Sequence, residues 1–232
     1  MKIIHDGKEY EVADQNEAFW RRFENGSWEP ETFKIFYRLI RPDTTFLDIG
    51  AWIGPTTLYA AKRAKRVFSF EPDPIAFFEL CRNLELNNAE NVVPYSIAVS
   101  NAWKGMKFGK KNEYGDSMSS ELWGVGNVRV PAMSLNSVIG GISPDFIKID
   151  IEGGEMSLFE GAQHFLRHHK PTIHLSLHTP WFKDRLVAYE ESVKSGLEMY
   201  PYIYDENLEP IDFQDAFDPE RFNSIVASFT KL

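Results

Sequence analysis

The chain has 232 residues, 43% of them hydrophobic, with 25 Lys+Arg against 34 Asp+Glu and a formal net charge of −9. That length and apolar content suit one domain, or one with a small extension, and the acidic balance disfavours a nucleic-acid phosphate track as the main partner. A lone cysteine, Cys81, excludes a disulfide framework and a cysteine zinc cluster. The charged start of the chain does not read as a signal peptide, and no apolar run approaches the ~20 residues of a membrane span, so a soluble, cytoplasmic enzyme is the expected class.

Residues 1–41 read as a hairpin and a helical cap. Asp6-Gly7 between Lys2–His5 and Glu9–Val12 is a hairpin turn signal. Residues 14–24 are expected to be helical with Ala18, Phe19 and Phe23 inward. A second helix is expected over Pro30 to Ile40, with Phe33, Phe36, Tyr37 and Ile40 on one face. Two readings of this pair are open: a cap on a sheet, or a lid over a ligand that includes Trp28, Glu29 and Glu31.

From residue 42 onward strands and helices alternate. The strand Thr45–Ile49 runs into Gly50-Ala51-Trp52-Ile53-Gly54 and then a helix from Pro55 to Ala64. A strand over 66–70 ends at Glu71, and Asp73-Pro74 opens a helix with Phe77, Leu80, Cys81 and Leu84 inward. Val92–Ser96 is a strand whose Pro94 suggests a sheet edge. Residues 101–134 interrupt the pattern as an inserted antiparallel excursion, with a mobile middle from Asn112 to Gly126. The alternation resumes with the strand 145–150, a helix from Glu155 to His168, the strand Thr172–His178, a helix over 183–197, and two edge strands near 201–204 and 224–228. The expected fold is α/β and Rossmann-like: a mostly parallel seven-stranded sheet, helices on both faces and an antiparallel C-terminal pair.

In such sheets ligands bind beyond the carboxyl ends of the strands, and Asp48, Gly50, Glu71, Asp150, Glu152 and His178 all fall there. The pattern Gly50-x-x-x-Gly54 lacks the three glycines of a dinucleotide loop, which disfavours an NAD-type oxidoreductase. A carboxylate so close to the turn suits a cationic, amino-acid-bearing ligand such as S-adenosylmethionine. Glu71, about 20 residues past the loop, is placed to grip ribose hydroxyls. Asp150 and Glu152 alternate on extended chain and can face one cleft. Glu155 is read as favouring its helix N-terminus, His174 as structural, and His178 as either structural or functional. His164, His168 and His169 read as solvated.

Taken together, Phe46–Gly54, Phe70–Pro74 with Asn83 and Asn87, Ser96–Asn101, and Ile147–Glu155 with Leu158, Glu160 and Gly161 resemble the FkbM-type family of class I S-adenosylmethionine-dependent methyltransferases. The likeness covers about residues 28–178. It implies a cofactor lying along Asp48, Gly50, Ala51, Trp52, Gly54 and Thr56. Its ribose would rest on Glu71 beside Pro72 and its adenine near Ser96, Ile97 and Ala98, with Asp150 within reach. Trp52 stands where the family usually has asparagine, and an aromatic there narrows the pocket. The resemblance further implies O-methylation of a hydroxyl on a sugar or other small-molecule or glycan acceptor. Asp150 or His178 would take the acceptor's proton and Glu152 would orient it. Mg²⁺ held by Asp150 and Glu152 is a less favoured variant, because two oxygens alone would leave most of its shell to water and substrate. A non-catalytic module that binds the same nucleoside is the remaining alternative.

Overall fold

The computed structural model describes residues 1–109, 114–115, 117–120 and 128–232. Asp6 and Gly7, both at positive φ (47° and 69°), close the hairpin of β1 (Lys2–His5) and β2 (Lys8–Glu11), as a two-residue turn between right-twisted strands requires. Helices α1 (Glu17–Glu24) and α2 (Pro30–Leu39) follow. On α1 Ala18 faces solvent, and Trp20 joins Phe23 in the core instead. On α2 Tyr37 is 67% exposed while Ile35 is buried beside Phe33 and Phe36. Tyr37 and Ile35 flank Phe36 at opposite angles of about 100°, so periodicity alone cannot choose between them. The choice is made by the sheet, against which the Phe36 ring meets Phe46, Phe146 and His174.

Strand β3 (Thr45–Ile49), helix α3 (Pro55–Ala61), strand β4 (Arg66–Phe70), helix α4 (Pro74–Leu86) and strand β5 (Val92–Tyr95) form the first half of the alternation. Asp73 caps α4 by accepting the N–H groups of Ile75 and Ala76 at 2.9 and 3.3 Å. Cys81 is only half-buried, because the inner face of α4 turns through Ala76, Leu80, Asn83 and Leu84. Asn83 sits there because it is satisfied. Its Oδ1 accepts Ala13 N–H at 2.8 Å, its Nδ2 donates to Ile53 O at 2.8 Å, and Asn87 Oδ1 accepts Glu11 N–H at 3.1 Å. These two asparagines fasten the N-terminal hairpin to α4 and to the turn at Ile53.

The excursion contributes β7 (Lys104–Lys107) and β8 (Arg129–Met133), which join β6 (Ala98–Val99), just before it, in a separate three-stranded sheet, order β6-β8-β7. The β7–β8 pair is antiparallel, and β6 runs parallel to β8. Most of the stretch from Asn112 to Gly126 lies outside the described residues. The short helix α5 (Leu135–Val138) leads to β9 (Phe146–Ile149), α6 (Glu155–His169) and β10 (Thr172–Leu177). A 3-10 segment, Thr179–Arg185, delays the next helix, so α7 spans Leu186–Leu197. Strands β11 (Tyr202–Tyr204) and β12 (Asn223–Ser228) end the chain's regular structure.

The seven-stranded sheet has the order β11-β12-β10-β9-β3-β4-β5. The run from β10 to β5 is parallel, and β12 pairs antiparallel with both β10 and β11. Pro94 lies on the edge strand β5, where its missing N–H costs no ladder bond. Helices α2, α3 and α4 bury residues on one face and α6 and α7 on the other. The strand order reverses between β3 and β9, and a crevice opens at such a point.

Gly161 joins α6 to the excursion: a Cβ there would lie 2.4 Å from Asn101 Cα and 2.6 Å from Ser100 O. Helix propensity favours alanine by about 1 kcal/mol, but a clash with backbone costs about 1–3 kcal/mol and relaxes poorly. Gly161→Ala is therefore expected to lower the urea midpoint by the equivalent of about 1 kcal/mol at unchanged m-value; a raised midpoint would contradict this packing.

Candidate active site

A cavity of about 560 Å³ occupies the crevice, within the range of small-molecule sites. Its floor is built from the turn after β3 (Gly50, Ala51, Trp52), the end of β4 (Phe70, Glu71, Pro72), the segment after β5 (Ile97, Ala98), the end of β9 (Lys148, Asp150, Glu152) and His178 after β10. Trp28, Glu29 and Glu31 line it from the approach to α2, so the N-terminal helices wall the cavity as well as cap the sheet. Met106, Phe108 and Ser117–Ser120 of the excursion line it too.

Three residues expected at the site lie outside this lining. Ser96 is exposed, while its neighbours Ile97 and Ala98 face inward. Gly54 precedes α3 and packs on Leu80, whose Cδ1 would lie 2.7 Å from an added Cβ. Asp48 is fully buried beneath the floor. Its Oδ2 accepts the hydroxyls of Thr56 and Thr57 at 2.8 and 2.6 Å, and its Oδ1 has no hydrogen-bond partner among the described residues. Gly50 has φ +86°, and a side chain there would strike Asp150 O at 1.7 Å. Only glycine lets the β3 and β9 ends come this close.

Lys148, which the sequence reading passed over, is the cation of the floor. Its Nζ donates to Gly50 O at 2.8 Å and lies 3.2 Å from Asp150 Oδ2 and 3.6 Å from Asp48 Oδ1. Burial opposes its charge, yet Asp150, Asp48 and Glu29 raise its pKa. Burial would also raise Asp150, but Lys148 and then His178 hold it well below the usual carboxylate range. Burial pushes Asp48 up, against Lys148 and the two threonines. A lysine interrupting the otherwise apolar strand Phe146-Ile147-Lys148-Ile149 was the available signal, because such a residue is buried only when paired.

Glu71 accepts Trp52 N–H through Oε2 at 2.8 Å and Asp73 N–H through Oε1 at 2.7 Å. Burial outweighs these bonds and lifts its pKa to about 7. Trp52 itself has φ 48°. Its Nε1 donates to Gly115 O at 2.8 Å, and its ring stands edge-on to Phe19, 4.5 Å between centroids. Glu29 also reaches a pKa of about 7, through burial and the charge of Asp150.

The second cluster joins β9 to β10. His178 Nε2 lies 3.3 Å from Asp150 Oδ1 and 3.4 Å from Glu152 Oε2. On the ring's other side Nδ1 lies 2.7 Å from Glu155 Oε1, which also accepts Gly153 N–H at 3.2 Å. Glu155 is wholly buried. The helix-terminus reading of Glu155 is therefore incomplete, since its carboxylate is aimed at a histidine from a neighbouring strand. No sequence spacing links positions 155 and 178; the β9–β10 pairing does. Burial opposes charge on His178, but Glu155, Asp150 and Glu152 push its pKa well above the ordinary value. Trp181 Nε1 donates to Glu152 Oε2 at 2.9 Å, and Trp181 meets Phe222 with centroids 5.1 Å apart, giving an aromatic shelf beside the carboxylates. His174 is buried against Phe36, and burial with the charge of Lys148 lowers its pKa to about 4, consistent with a neutral structural residue.

Residues 48–208 match the methyltransferase FkbM domain. Methyltransferase 1 of Beauveria bassiana (strain ARSEF 2860) is 25% identical over 147 residues, which cover 52% of this chain and 59% of that protein. The structure of methyltransferase FkbM from Methylobacillus flagellatus KT is similar with a TM-score of 0.55 and 19% identity, over 81% of this chain and 44% of that one. Precorrin-6y C5,15-methyltransferase from Geobacter metallireducens GS-15 gives 0.53 and 15% identity, over 98% and 97%. The chain thus spans about half the length of the first two, and the structural likenesses are of fold. Among the described residues no helix is long and apolar enough to cross a membrane.

Lys148→Met removes the cation shared by the buried Asp48 and the partly exposed Asp150, which keeps His178 as a second partner. Leaving the buried Asp48 unpaired costs about 3–5 kcal/mol. The loss should be largest at neutral pH and shrink in acid, as Asp48 takes up a proton more readily than in the unfolded chain. Urea melts of the variant at two pH values check this, and a loss that grows in acid would refute it.

Proposed function

Because the chain belongs to the methyltransferase FkbM domain family, we propose that it moves a methyl group from S-adenosylmethionine to a hydroxyl of a small-molecule or glycan acceptor, a sugar being the favoured class. The observation that carries the reading is the meeting of two unlike halves in one cavity. On one side stands Glu71 with the Gly50–Trp52 turn; on the other stand Asp150, Glu152 and His178 beside the Trp181–Phe222 shelf.

The first half fits the cofactor. The bare backbone at Gly50 admits its amino-acid part, Glu71 is placed for two ribose hydroxyls, and Ile97 with Ala98 offers an apolar flank to a flat base. When bound, the cofactor supplies a methyl group already activated on a sulfonium. What remains for the chain is to hold the acceptor oxygen about 3 Å from that carbon and to receive its proton. A hydroxylated ring can lay its apolar face on Trp181 and Phe222 while its hydroxyls meet the carboxylates. Asp150, kept ionised by Lys148, or His178 beside it accepts the reacting hydroxyl's hydrogen bond. A base as weak as this carboxylate takes the proton late, once the new C–O bond has made the oxygen an acidic oxonium and the sulfonium has left as a thioether. His178 steadies the charge on Asp150, and Glu152, fixed by Trp181, orients the acceptor. Proton acceptance of this kind contributes about 10²–10⁴-fold. The acidic chain disfavours a polyanionic acceptor such as RNA.

Two outcomes follow. Calorimetry with S-adenosylhomocysteine should show binding to the wild type that weakens as pH falls through about 7, where Glu71 takes up a proton. Glu71→Gln should bind more weakly and lose that pH dependence. Asp73 and Lys148 also act on Glu71, so the comparison with the glutamine variant isolates its share. In a radiolabelled methyl screen on sugar-containing acceptors, Asp150→Asn with His178→Ala should retain nucleoside binding and lose methyl transfer by about 10²-fold or more. Unchanged turnover would remove the proton-transfer assignment, and a wild type that binds no nucleoside would remove the reading altogether.

A further inference from the structure

The residues ranked as a poor cation site from sequence were two oxygens; the fold adds a nitrogen. Asp150, Glu152 and His178 each offer one ligating atom, and these atoms lie within 4.8 Å of one another. We propose that they bind one divalent transition-metal ion through His178 Nε2, Asp150 Oδ1 and Glu152 Oε2, leaving the cavity side of the ion for water and the acceptor's oxygen.

The spacing has the right scale. Ligands about 2.1 Å from an ion stand about 3.0–3.4 Å apart in octahedral or tetrahedral geometry. His178 Nε2 is 3.3 Å from the aspartate oxygen and 3.4 Å from the glutamate oxygen. The histidine is also set up as a ligand. The carboxylate of Glu155, 2.7 Å from Nδ1, takes that ring N–H and turns Nε2 toward the two carboxylates, where a bound ion would replace the Nε2 proton. A carboxylate behind a histidine is the usual support of a metal-bound imidazole, fixing its tautomer and orientation. His178 is 96% buried by its 4% exposure, so its direction is held by packing.

The remaining ligands are braced as well. Glu152 holds φ 52°, a conformation that its free chain would avoid, and Trp181 Nε1 fixes its carboxylate at 2.9 Å. Lys148 occupies the other oxygen of Asp150, Oδ2, and leaves Oδ1 to the cluster. That lysine's charge opposes a second cation, but Asp150, Glu152 and Glu155 outweigh it locally. One imidazole with two carboxylates suits Mn²⁺, Fe²⁺ or Zn²⁺ better than Mg²⁺, which favours oxygen ligands alone. The ion's task, polarising the acceptor's hydroxyl so that its proton leaves more readily, rests on the methyl-transfer reading above. It takes the place of proton acceptance by Asp150, whose two oxygens are then held by the ion and Lys148. The ion's binding does not rest on that reading.

The test uses the full chain dialysed against chelator, without nucleoside or acceptor. Mn²⁺ is titrated and the free ion read by electron paramagnetic resonance, with Zn²⁺ and Mg²⁺ compared by calorimetry. One Mn²⁺ should bind per chain. Glu152→Gln and His178→Asn should each weaken it by about tenfold or more, Glu155→Gln by a similar factor through the ring, and Cys81→Ser not at all. Thermal melts establish that each variant is folded. A folded wild type with no saturable Mn²⁺ or Zn²⁺ binding overturns the site, as does binding that survives both ligand substitutions. Ion binding without methyl transfer to any hydroxylated acceptor would leave the site standing and sink the reaction; chelator-resistant turnover with no ion bound would do the reverse.

Discussion

One buried ammonium holds the cavity floor together. Lys148 is the register partner of Asp48 on β3 and of His174 on β10, so its charge sits in the middle of the sheet at the point where strand order reverses. From there it reaches the carbonyl of Gly50, the carboxylate of Asp150 and the carboxylate of Asp48. Removing two carboxylates from water is costly unless a cation accompanies them. The same charge that makes this burial tolerable keeps Asp150 ionised at the cavity surface. Stability of the floor and readiness of the site therefore depend on one side chain.

Around that floor the backbone is strained where it meets the cavity. Glu29, Trp52 and Glu152 are non-glycine residues at φ 44°, 48° and 52°, and all three line it. Left-handed backbone costs an ordinary residue about 1–2 kcal/mol. Each is countered by contacts that require the fold: Trp52 N–H on Glu71, Trp181 on Glu152, and the start of α2 for Glu29. Strain of this kind persists where the surroundings over-determine a conformation, and it aims side chains that a relaxed turn would leave pointing elsewhere.

The cavity is also composite. Trp52 ties the nucleotide-type turn to the excursion through Gly115 and to α1 through Phe19. Asp73, besides capping α4, accepts Gly115 N–H through Oδ2 at 2.8 Å. Hairpin and helical cap are held to the main sheet by a shared apolar core, and these polar contacts tie the excursion to the same side. Cap and excursion contribute walls to the cavity, while the strand tips contribute its floor.

Much of the architecture was legible in the chain's own patterning. Hydrophobic runs of period two and 3.6, Asp6-Gly7, Asp73-Pro74 and the edge proline Pro94 are local signals, because each acts through its own backbone geometry. They sufficed for the strand–helix alternation, the sheet edge and the carboxyl-end location of Glu71, Asp150, Glu152 and His178. The tertiary structure alone decided that Asp48 lies under the floor, that Ile35 and not Tyr37 is buried, that Ser96 faces away, and that Glu155 backs His178. Those outcomes hinge on which strands lie side by side and how helices dock on them. Contacts between residues 23 or 100 positions apart leave no mark in local spacing, since the energy that selects them arises only once burial brings the partners together.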